Sequence, residues 1–258
     1  MVRKICYFLL LAISLSSCGT GWVPTELDRM IGQQGQTELN SNPNLYKILE
    51  EADYPLAYQK LEDIRDQILN SAKIKYKDDF TWELKIIEDD SVINAFCMPG
   101  GYIYVYTGLI KYLDSEAALA GVIGHEMAHA DLRHSTDQLV KNLGLSIVLQ
   151  VLLGGSESNL IQMGANLISL SFSRSDETEA DMKSVEYLYH TPYDARGASY
   201  FFEKLKKENK DEGTVEFVST HPNPDNRVSK IHEKWQELGA KVGKKNIDNY
   251  QKLIEELP

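Results

Sequence analysis

The sequence predicts a mainly helical α+β fold, with a small antiparallel sheet placed before one long helix that carries the chemistry. Residues 115–134 have the apolar spacing of a helix and contain His125-Glu126-Met127-Ala128-His129. Upstream the apolar period falls to two: Phe80, Trp82, Leu84 and Ile86 alternate with Thr81, Glu83 and Lys85, as a half-buried strand requires. A second strand-like run, residues 91–98, reaches Pro99-Gly100-Gly101 and resumes as Tyr102-Ile103-Tyr104-Val105-Tyr106, the pattern of a hairpin.

The chain has 258 residues, 43% hydrophobic and 25% charged, which is ordinary globular composition and excludes disorder or a coiled coil. Residues 1–17 read as a signal, because Arg3 and Lys4 precede an apolar run at 5–15 that is too short for a permanent span. That run ends at Leu15-Ser16-Ser17-Cys18, which resembles a bacterial lipobox, so Cys18 is expected to become the acylated first residue of a membrane-anchored protein. Gly19 after it favours the outer membrane, facing the periplasm, by the sorting pattern of many Gram-negative lipoproteins. Cys6 leaves with the signal and Cys18 is taken by lipid, so Cys97 is left as a free thiol with no internal disulfide. Losing Arg3 and Lys4 changes the charge sum from 27 − 38 to 25 − 38, or −13, and no basic patch is visible, so nucleic acid is not an expected partner.

Residues 18–44, rich in Gly, Gln, Asn and Thr, read as a flexible tether, and 45–258 as a single catalytic domain. Residues 45–72 have helical spacing interrupted at Pro55 and are expected outside the catalytic core. After the sheet, 107–113 reads as a short helix, and Ser115 as the N-cap of the long one. Residues 138–172 are helical in character, with an apolar stretch at 143–153 too short to span a membrane and a turn at 154–156. Ser175 or Asp176 can cap a further helix reaching Tyr189, and helical pieces follow at 196–207, 225–238 and 246–256.

On a helix of 3.6 residues per turn, His125 and His129 share a face and can hold one zinc ion, with Glu126 beside them to handle a proton. Leu119, Val122, Ile123 and Met127 surround these groups with apolar surface, and buried imidazoles need partners that a metal supplies. Ala117, Gly121, Gly124 and Ala128 form a small-residue stripe that suits a closely packed neighbouring helix. Catalytic zinc takes three protein ligands and keeps one position open. A third histidine six residues on is excluded, since Ser135 stands there; His134, near a helix C-terminus, reads as a dipole contact. The other arrangement takes a glutamate from a second helix. Glu177 supplies it, with Asp181 one turn on to orient a ligand histidine.

These motifs resemble the gluzincin zinc metallopeptidases of the HtpX and Oma type, most closely their periplasmic BepA-like and LoiP-like lipoprotein members. The matching residues are Asn94-Ala95-Phe96, Pro99-Gly100-Gly101, Thr107-Gly108-Leu109, His125-Glu126-x-x-His129, Arg133-His134, Ser173-Arg174, Glu177-x-x-Ala180-Asp181 and His221-Pro222 with Arg227. Ser184 departs from the pattern, where the family often has Gly. The resemblance implies a zinc endopeptidase with one catalytic ion on His125, His129 and Glu177, and Glu126 as general base. It also implies that the strand at Asn94, Ala95 and Phe96 pairs with extended substrate, which suits unfolded or misassembled envelope polypeptides. His221 is a candidate either to stabilise the oxyanion or to approach the metal in a closed state. A lipid-anchored assembly factor that holds outer-membrane proteins and cuts rarely is the alternative function. Oligomeric state is not legible.

Overall fold

A helix stands where the composition suggests a tether. The computed structural model describes residues 23–154, 157–167, 170–208, 215–222 and 226–258, and its first element is α1 (Thr25–Asn40). Leu27, Ile31 and Leu39, on one face at multiples of four, are fully buried, so 25–40 is part of the packed fold and the flexible-tether reading is corrected there. Cys18 and the signal segment lie outside the described residues.

Pro55 does not break the next helix but begins it: α2 (Pro55–Leu69) carries proline at its first turn, where no N–H is needed. Leu61, Ile64 and Ile68 enter the main core beside residues of the His-Glu-x-x-His helix, so α2 is not peripheral. The sheet follows as β1 (Glu83–Ile87), β2 (Ala95–Met98) and β3 (Tyr102–Tyr106), in spatial order β1-β3-β2. The hairpin is present, with β2 and β3 antiparallel and Gly100 and Gly101 supplying positive φ at the turn. β1, however, runs parallel to β3, which makes the sheet mixed rather than antiparallel. Period-two spacing marks a strand but carries no direction, and the chain returns through β2 before β3 pairs with β1. β3 is central and buried throughout, with Ile103 and Val105 in the main core and Tyr102, Tyr104 and Tyr106 in a second core with α1.

After α3 (Thr107–Tyr112) comes α4 (Glu116–Asp131), capped by Ser115, whose hydroxyl accepts the Ala118 N–H. All sixteen residues of α4 are buried, as expected of a helix apolar on more than one side. The stretch after it divides into α5 (His134–Leu143), α6 (Leu145–Leu152) and α7 (Glu157–Asn166), and Gly144, at φ 84°, makes the break between the first two. In α6, Val148 and Val151 are buried while Leu149 is exposed, so the segment is amphipathic; no helix among the described residues is long and apolar enough to cross a membrane. The remaining helices are α8 (Arg174–Tyr189), α9 (Gly197–Lys207), α10 (Glu216–Thr220), α11 (Arg227–Glu237) and α12 (Ile247–Glu256). The cap of α8 is Ser173, two residues before the earliest position read from the sequence, in a reciprocal capping box with Asp176.

The small-residue stripe of α4 meets two helices. A Cβ on Gly121 would lie 2.0 Å from the Ala198 nitrogen of α9, and one on Gly197 would lie 1.9 Å from the Ala117 oxygen, so the two backbones touch. On the α8 side, Ser184 fills the space beside Gly124 and donates a 3.0 Å hydrogen bond to the Gly121 carbonyl. That close packing brings α8 alongside α4.

Candidate active site

Because α4 and α8 pack side by side, Glu177 on the first turn of α8 reaches the two histidines of α4. His125 Nε2 and His129 Nε2 are 3.0 Å apart, and the Glu177 carboxylate lies 3.3 Å from each of them. His221, which follows α10, puts its Nδ1 3.1 Å from Glu177 Oε1 and 3.4 Å from His125 Nε2. One donor atom from each of His125, His129, Glu177 and His221 falls within 4.8 Å of the others, and all four residues are buried. Glu126 sits beside them, its Oε1 3.5 Å from His221 Nε2. The structure thus brings together His125, Glu126, His129 and Glu177, with His221 against the donor set, the nearer of the two places expected of it.

The electrostatics suit a cation. Among the described residues, Glu126 Oε1 and Glu177 Oε2 are buried oxygens that accept no hydrogen bond, a costly arrangement unless a charge faces them. Burial opposes ionisation of Glu177, but His221 and the surrounding imidazoles outweigh it and hold the carboxyl well below its ordinary range. Burial pushes Glu126 up to about 7, so the group can both take and return a proton near neutrality. Burial, helped by the neighbouring His125 and His221, depresses His129 despite Glu177, while at His125 the bonds from Asp181 and Glu177 overcome burial and raise it. Two imidazoles, a carboxylate and a fourth nitrogen form a donor set that fits zinc.

The surroundings extend this set. Asp181 Oδ1 lies 2.9 Å from His125 Nδ1, the orienting contact expected of it. Arg227 grips Asp181 with two contacts, 2.6 Å from Nε and 2.7 Å from Nη2, and lies over the Phe202 ring. The spacing alone assigns no role to Arg227. Nor does it reveal Phe172, whose ring stacks 3.9 Å from His129 and whose N–H donates to the Thr220 carbonyl beside His221. His134 is no dipole contact: its Nδ1 is 2.9 Å from His129 Nδ1. The helix breaks at Arg133, and no local propensity in the sequence marks that break.

Comparison with known proteins agrees with this geometry. The family model "Peptidase family M48" matches residues 55–235. The chain belongs to Peptidase family M48. Among its M48 relatives are the mitochondrial metalloendopeptidase OMA1 of Arabidopsis thaliana, 37% identical over 60% of this chain and 32% of that protein, and OMA1 of Schizosaccharomyces pombe, 32% identical over 67% and 51%. The putative beta-barrel assembly-enhancing protease of Vibrio cholerae is 29% identical over 56% of this chain and 33% of that protein. The matches thus span about a third to a half of these relatives' lengths. M48 peptidases are zinc-dependent, and His125, His129, Glu177 and His221 form a group that could hold such an ion. In this M48 chain β2, which contains Ala95 and Phe96, is an edge of the sheet. Asn94 precedes it, accepting the Ala95 N–H and donating to Glu216 Oε1 of α10.

Proposed function

We propose that the chain is a zinc-dependent endopeptidase of the bacterial cell envelope, degrading misfolded or unassembled envelope proteins. The single observation that carries the reading is the buried convergence of His125, His129 and Glu177 with Glu126 beside them. Bound zinc supplies Lewis acidity, making a water molecule more acidic and a scissile carbonyl more electrophilic. Glu126 accepts the water's proton and returns it to the leaving amine. Glu177 and the two histidines would hold the ion, while Asp181, itself gripped by Arg227, orients His125.

Substrate enters by displacing the cover. His221 supplies the fourth donor of the set, and in the same segment Phe217 N–H donates to the Ile93 carbonyl, just before the edge strand β2. Withdrawal of this segment would vacate the fourth donor position and free the Ile93 carbonyl, next to Asn94, Ala95 and Phe96, to pair with an extended polypeptide. His221→Ala removes the occupying imidazole and is expected to raise zinc-dependent casein cleavage several-fold. Reduced cleavage with zinc retained would assign His221 to the oxyanion instead. The reading as a whole is tested by the same casein assay on the wild-type chain, which chelation should abolish and added zinc restore.

The envelope assignment is supported by the lipobox-like run Leu15-Ser16-Ser17-Cys18 and by the relatives named as beta-barrel assembly-enhancing proteases. Cys18→Ser is expected to move the protein from the membrane to the soluble fraction, or to block its maturation. A mature variant that still resists an alkaline wash would rule out the lipid anchor. The second reading, a lipid-anchored holdase that cuts rarely, is favoured by the closure of the site under His221 and Phe172.

A further inference from the structure

Each α4 histidine has its own neighbour at Nδ1. For His125 it is a carboxylate, Asp181; for His129 it is another imidazole, His134, at 2.9 Å. A neutral His129 that offers Nε2 to the donor set carries its proton on Nδ1 and donates it to His134 Nδ1. His134 then carries its own proton on Nε2, which faces Glu179 at 3.5 Å.

That contact depends on a corner in the chain. On an uninterrupted helix, five residues at about 100° each would carry position 134 roughly 140° around from His129. Instead, Arg133 adopts a left-handed conformation, φ 62°, and the chain turns back to start α5 at His134. A non-glycine residue holds that conformation only where its surroundings over-determine it. The Arg133 side chain is so held. Its guanidinium reaches both oxygens of Asp28 at 2.6 to 3.2 Å and donates to the Val23 carbonyl at 2.8 Å and the Pro24 carbonyl at 3.3 Å. Thr136 on the first turn of α5 also donates to Asp28 Oδ1, at 2.5 Å. Asp28 is completely buried and Arg133 nearly so. The start of α1, only a few residues after Cys18, therefore locks the corner that aims His134.

We propose that His134 is a positioning residue for the ligand His129, and that the Asp28–Arg133 lock holds it there, so that metal retention depends on docking of the segment 23–28. The inference rests on the reading of the site as a zinc centre. It goes beyond that reading by giving the N-terminal segment a role in the affinity of the centre. Nothing in it requires Asp28 or Arg133 to touch substrate.

The experiment is a zinc competition titration against a chromogenic chelator on the mature chain, with thermal unfolding of the zinc-free protein followed in parallel. His134→Phe keeps a planar ring but removes the acceptor, and zinc affinity is expected to fall by about 10- to 100-fold, the usual effect of losing such an outer partner, with the zinc-free melting temperature little changed. His134→Gln, which restores an acceptor oxygen, should recover most of the loss. Breaking the lock with Asp28→Asn alone strands a buried guanidinium and risks unfolding, so the decisive variant is the double change Asp28→Leu/Arg133→Met, which removes both charges together. It should fold and bind zinc several-fold more weakly. Wild-type affinity in His134→Phe, equal losses in the Phe and Gln variants, or failure of His134→Phe to fold without zinc would each overturn the role of His134. Wild-type affinity in the double variant would overturn the lock. If the wild type itself bound no zinc, the metal reading would fall first, and this inference with it.

Discussion

Replacing Glu126 by Gln is expected to lower cleavage of an unfolded protein by about 100- to 10,000-fold, the range that a positioned acid–base group contributes. The amide keeps the shape and hydrogen-bonding reach of the carboxylate but cannot take a proton. Glu126 is buried beside the donor set without being one of its four members, so zinc content, measured by elemental analysis, should stay at one per chain. The same variant separates protease from holdase. Substrate pairing is assigned to the strand at Asn94, Ala95 and Phe96, so the variant should still bind the unfolded protein and can trap it. Unchanged cleavage would remove Glu126 from the mechanism, and loss of zinc together with binding would make it structural.

Glu177→Ala is expected to abolish zinc binding and, with it, all cleavage. Glu177 supplies the only carboxylate among the four converging donors and is fully buried between His125, His129, His221 and Arg227. Its removal takes the one carboxylate ligand from the set and leaves three imidazoles, since Asp181 stays paired with Arg227. A ligand that binds only the folded state stabilises it by about 2.7 kcal/mol when present at 100 times its dissociation constant. Added zinc should therefore raise the melting temperature of the wild type by several degrees and leave that of Glu177→Ala where it was. Full zinc occupancy in the variant would exclude Glu177 from the site.

Sequence and structure part company at identifiable places. α1 escaped notice because its four apolar residues are diluted by Gly, Gln and Thr, and the buried face becomes visible only where it packs against α7 and the tyrosines of β3. The parallel pairing of β1 escaped because alternation along one strand is the same whichever way its neighbour runs. Ser184, a departure from the family pattern, is a hydrogen-bonded contact between α8 and α4.

What the sequence by itself determined is local. His125, Glu126 and His129 lie within two turns of one helix, Ser115 starts that helix, and Glu177 and Asp181 share the face of another, all consequences of backbone periodicity and capping. Tertiary structure alone decided which groups meet. Backbone contact at Gly121 and Gly197 and the Ser184 bond seat α9 and α8 against α4, the latter bringing Glu177 to the histidines; Asp28 and Arg133 turn His134 onto His129; and the loop after α10 delivers His221 to the fourth position. These encounters join residues far apart in the chain, and they depend on packing between whole elements, which no local pattern encodes.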